Sequence, residues 1–82
     1  MNHRNFEAVL TVTRVLGMSP LEAALLLLIA ACADGKGEMD PAAVKPAKLR
    51  RACRAVAGET GMALSEVEAL WPAIVAHAEG RS

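Results

Sequence analysis

Eleven consecutive apolar residues, Ala23 to Ala33, stand in a chain whose other apolar positions recur at intervals of three and four. Phe6, Val9, Leu10, Thr13 and Leu16 share one face of a helix, and Leu49, Cys53 and Val56 do the same in the second half. The spacing predicts four helices, near 4–16, 20–33, 42–58 and 65–79. Their connections are short, as turns between antiparallel helices usually are. The expected architecture is all-α: two tandem helical hairpins packed in a small bundle, with the second helix central. One domain spans 1–82, divided into a hairpin at 4–33, a loop at 34–41 and a hairpin at 42–79.

The apolar run itself predicts a core helix. Crossing a bilayer takes about 20 apolar residues, and this run meets Glu22 and Pro20 at its start. Ser19-Pro20-Leu21-Glu22 reads as a helix start: serine as N-cap, proline at the first helical position, and a glutamate placed to close a capping box. A helix apolar on every side has to be surrounded by protein. The same start recurs downstream. Aligning Ser19 with Ser65 sets S-P-L-E-A-A over S-E-V-E-A-L, each behind a Gly-Met pair (Gly17-Met18, Gly61-Met62), which suggests an internal duplication with a serine capping each second helix. Pro72 disturbs that pattern, because inside a helix it removes a backbone hydrogen bond and crowds the preceding turn. A kink, or a short turn before a new segment at Pro72, is expected.

Composition supports helices: ten Leu, seven Val and four Met stand against one Phe, one Trp and no Tyr. Nine bases balance nine acids, so no global field recruits nucleic acid or anionic lipid. Locally the balance fails. Lys45, Lys48, Arg50, Arg51 and Arg54 place five positive charges within ten residues, and no acid falls between Pro41 and Gly58. The helix that follows carries Glu66, Glu68 and Glu79. Cys32 and Cys53 form no C-x-x-C, and His3 and His77 complete no metal-ligand spacing, so reduced core thiols are expected. A thiol nucleophile needs a base and an orienting group nearby, and none is placed to serve, so no catalytic residue and no enzyme activity are assigned.

Four local resemblances bear on function. Leu28-Ile29-Ala30-Ala31-Cys32 resembles a lipoprotein cleavage box, but a signal peptide wants a basic region directly ahead of its apolar stretch, and here Glu7 and Glu22 intervene. Cys32 to Ala43, C-A-D-G-K-G-E-M-D-P-A-A, resembles the middle of an EF-hand loop while lacking the closing carboxylate at its twelfth position. The A-D-G and E-M-D-P of that stretch are also similar to a turn of the tellurite-resistance TerB-like helical proteins, a likeness over about ten residues that implies an all-helical fold and a weak metal-binding loop at 34–40. Val56-Ala57, Gly61-Met62, Val67 and Leu70 resemble a helix-turn-helix, which implies a nucleic-acid-binding regulator using the basic third helix. Its recognition helix would carry Glu66 and Glu68 and no Arg, Lys, Asn or Gln to read bases.

The expectation drawn from these features is a small cytoplasmic protein-protein interaction module: an adaptor, regulator or inhibitor of the kind bacterial phages and mobile elements carry. It needs no cofactor or metal and no membrane. Its partners are a protein and, because apolar content of 54% is high for so small a chain, a second copy of itself. Trp71 and the basic row Lys48, Arg51 and Arg54 are the expected partner-binding residues, since Trp and Arg dominate interface energetics.

Overall fold

The computed structural model describes residues 3–33 and 38–80. All regular structure among them is helical: α1 (His3–Leu16), α2 (Pro20–Cys32), a 3₁₀ turn (Pro41–Ala43), α3 (Pro46–Thr60), α4 (Leu64–Glu68) and α5 (Leu70–Gly80). The expected all-α bundle is present, and α2 is its centre, packing against α1, α3 and α5, while α4 packs against α3. Leu27 and Leu28 of α2 meet Phe6 and Leu10 of α1, Cys53 and Val56 of α3, Val67 of α4 and Ile74 of α5 in one buried cluster. The buried hydroxyl of Thr13 donates to the Leu10 carbonyl at 2.8 Å, so its burial leaves no unpaired donor.

Two glycines make the hairpin turns. Gly17 (φ 64°) and Gly61 (φ 76°) both lie in the left-handed region, which a Cβ disfavours. Met18 N–H reaches back to the Thr13 carbonyl and Gly17 N–H to that of Arg14, while Gly61 N–H reaches that of Ala57. Both Gly-Met turns thus rest on a left-handed glycine, though their hydrogen bonds differ, and the helices that follow correct the serine alignment. Ser19 caps α2: its Oγ accepts from Glu22 N–H at 3.3 Å and donates to Glu22 Oε1 at 2.9 Å. Ser65 is no cap, for α4 begins one residue earlier behind Ala63. Glu66 Oε1 accepts from Ala63 N–H at 3.3 Å, so the counterpart of Glu22 is Glu66 and that of Ser19 is Ala63.

Proline moves the other boundaries. α3 starts at Pro46 rather than near 42, because the residue before a proline is pushed to extended backbone, and Lys45 sits there at φ −75°, ψ 147°. Residues 41–43 form the separate 3₁₀ turn, which Asp40 caps by accepting from Ala42 N–H at 3.1 Å. The fourth helix breaks at Ala69, three residues ahead of Pro72. Continuing unbroken would ask Pro72 for a hydrogen bond to Glu68 that it has no N–H to make; restarting at Leu70 puts the proline in a first turn, where no such bond is needed.

The apolar run is not enclosed on all sides, contrary to the expectation. Leu27 and Leu28 are buried, but Leu26 is 42% and Ile29 37% exposed. Three packed neighbours do not close around α2, and the strip Glu22, Leu26, Ile29 faces outward.

Candidate functional site

The basic face follows from how α3 buries its apolar stripe. Ala52, Cys53 and Val56 are buried and Leu49 half-buried, so the helical repeat turns Arg50, Arg51 and Arg54 to solvent, with Lys48 half-buried at the edge. None of these bases, nor Lys45, has a carboxylate within 4.0 Å among the described residues. The ion pair that does form lies elsewhere: Arg14 of α1 meets Glu59 of α3 at 3.2 Å, both partly solvated, so it contributes little to stability.

Trp71, in the first turn of α5, is half-buried against the core. It borders a cleft of about 290 Å³ together with Pro46, Leu49, Arg50, Cys53 and Glu68. Lys48 and Arg51 border a different concavity, beside Lys45 and Ala43 at the start of α3. The predicted site residues therefore divide. Trp71 faces the flank of α3 that carries Arg50, Lys48 lies toward the other flank, and Arg51 and Arg54 occupy the outer surface between them. Arg50 is the cleft's own cation, and the sequence marks it only as one member of the basic arc.

The helix-turn-helix geometry is poorly met. α4, which would begin the recognition helix, is five residues long and exposes Glu66 and Glu68. Of the loop at 34–40, residues 34–37 lie outside the described residues, and Asp40 is engaged as a cap. Among the described residues no group of three His, Cys, Asp or Glu side chains is placed to hold a metal ion, and no helix is long and apolar enough to cross a membrane.

Cys32 and Cys53 are both buried and unbridged. Burial pushes the Cys32 thiol up, with Lys48 pulling partly the other way; burial, then the Glu68 carboxylate, pushes Cys53 up. Since the thiolate is the reactive form, both should be poor nucleophiles at neutral pH. An aromatic disulfide reagent is expected to label both thiols slowly in the native protein and at once in denaturant. Prompt native labelling of Cys53 would show that the Trp71 cleft opens to its floor.

Two apolar surfaces escape a reading of the sequence. A groove of about 520 Å³ between α2 and α5 is lined by Leu25, Ile29, Met39, Ile74 and His77. Along α1, Val12, Val15 and Leu16 are exposed, which corrects the expectation that Leu16 lies on the core face. The signal is present in Val12 and Val15, which the pattern of three and four from Phe6 leaves out. No protein-family model matches the chain, nor does any curated protein or solved structure.

Proposed function

We propose that this chain is a protein-binding module whose α3 surface takes an acidic segment of a partner, one apolar side chain of that segment entering the cleft between Trp71 and Arg50. Charge without counter-charge carries the reading. In a chain of nine bases and nine acids, five bases gather on α3 and its N-terminal flank with no carboxylate within 4.0 Å among the described residues. Such a patch steers an acidic partner and fixes its register, while Trp71 and Arg50 are the residue types that supply most binding energy. Binding there covers a surface of the partner, which suits an adaptor, regulator or inhibitor. Two unbridged core thiols suit a reducing compartment such as the cytoplasm.

A peptide display library selected on the immobilised protein tests this. Enriched sequences are expected to carry several Asp or Glu and one large apolar residue, to bind less well as salt rises, and to lose at least about tenfold in affinity to the Arg50→Glu/Arg54→Glu variant. Selection without acidic bias, or unchanged binding by the reversed variant, would overturn the proposal. Single-stranded and duplex oligonucleotides at about 50 mM salt form the parallel arm; binding that falls steeply with added salt would assign the basic face to nucleic acid instead.

A further inference from the structure

We infer that the outer face of α1 seats a second copy of this chain, with the two α1 helices running antiparallel across a twofold axis. The helix is apolar on two opposite sides. Phe6, Leu10 and Thr13 face the core, while Ala8, Thr11, Val12 and Val15 form a row on the far side, continued by Leu16. Val12 is 50%, Val15 78% and Leu16 68% exposed. Exposed leucines and valines scattered singly need no explanation, but a continuous row along one helix does.

Charge and shape along the row specify the occupant. Glu7 and Arg14 lie two turns apart on one flank of the row, both exposed. In an antiparallel twofold pair the same flank of each helix meets, so Glu7 stands across from Arg14 of the partner subunit, and the contact occurs twice. A parallel twofold pair would instead set this flank against the opposite one, where Val9 and Leu16 lie, and neither charge would find a counter-charge. The antiparallel seating also places Val15, more exposed than Val12 or Leu16, over the small Ala8 position of the other helix.

The polar groups permit it. Thr11 is the one hydroxyl inside the row, and its Oγ1 already donates to the Glu7 carbonyl at 3.0 Å, so covering it strands no donor. Arg14 gives Glu59 a hydrogen bond from Nη2 at 3.2 Å, which leaves the other guanidinium N–H groups for the carboxylate across the axis. This face is separate from the basic face of α3, and its occupancy does not depend on what α3 binds.

Light scattering or sedimentation equilibrium from micromolar to millimolar protein is the test. The mass is expected to rise toward twice the 8.6 kDa of one chain. Val12→Lys/Val15→Lys should stay at single-chain mass throughout while keeping its helicity and melting temperature, since both positions are exposed and lysine suits the end of a helix. Glu7→Arg alone and Arg14→Glu alone should each self-associate about tenfold more weakly, and their equimolar mixture should recover wild-type strength, because only the mixed pair restores opposite charges. A wild-type chain that stays single up to millimolar concentration overturns the inference. So does a dimer indifferent to the two lysines, which would place the contact elsewhere, the α2–α5 groove included. A mixture no tighter than its components overturns the antiparallel seating.

Discussion

Truncating Leu28 to alanine is expected to remove about 3 to 4 kcal/mol of stability, while the same truncation two positions earlier, at Leu26, is expected to cost less than about 1 kcal/mol. Leu28 is fully buried on the central helix, within a cluster that draws on all five helices. Its loss removes the transfer free energy of three carbons and leaves a cavity, because α2 is held by α1 and α3 and cannot collapse onto the gap. A domain of this length has roughly 4 to 12 kcal/mol in total, so the variant should unfold at a much lower urea concentration. Leu26 lies on the open strip of α2, already in contact with water. Urea titrations of the two variants read the difference as a shift of midpoint at constant slope. Equal losses would mean that α2 is enclosed all round, and the outward strip Glu22, Leu26, Ile29 would be wrong.

That contrast also marks where the sequence stops being informative. A helix that is apolar all round has no polar side to say which face is open, so Leu27 and Leu28 are indistinguishable from Leu26 and Ile29 until the neighbouring helices are placed. In α1 the difficulty takes another form: Val9, Val12, Val15 and Leu16 offer competing apolar stripes, and only the packing of Phe6 and Leu10 on α2 decides between them. Local chemistry, by contrast, is legible. Ser19-Pro20-x-Glu22 marks the start of α2, the Gly-Met pairs mark both hairpin turns, and the absence of acids between Pro41 and Gly58 marks the basic face of α3. Matching serine to serine misplaces the second cap, because the carboxylate of Glu66 serves a backbone N–H of Ala63, a residue with no capping side chain of its own. The division between Trp71 and Lys48 is not foreseeable from spacing, since it depends on which flank of α3 the chain reaches after the break at Ala69.

The seam between α2 and α3 yields the second large effect, in the opposite direction of volume. Ala24 and Ala31 of α2 and Ala52 of α3 are all fully buried in the same cluster. Small side chains on both helices let their backbones approach closely, and packing at native density leaves no room for added methylenes. Ala52→Leu is therefore expected to destabilise the protein by about 2 to 3 kcal/mol, despite leucine's comparable helix propensity, because the helices must separate or the side chain must leave its rotamer. Ala47→Leu, exposed on the same helix, is the control and should change stability by no more than about 0.5 kcal/mol. The consequence reaches the surface, since moving α3 away from α2 displaces Leu49, Arg50 and Cys53 relative to Trp71 on α5. Under conditions where Ala52→Leu is still folded, Trp71 fluorescence is expected to shift toward that of solvated indole, and binding of an acidic peptide should weaken with it. If the emission is unchanged although the melting temperature falls, the extra volume has been absorbed away from the cleft, and α3 is held by contacts other than the alanine seam.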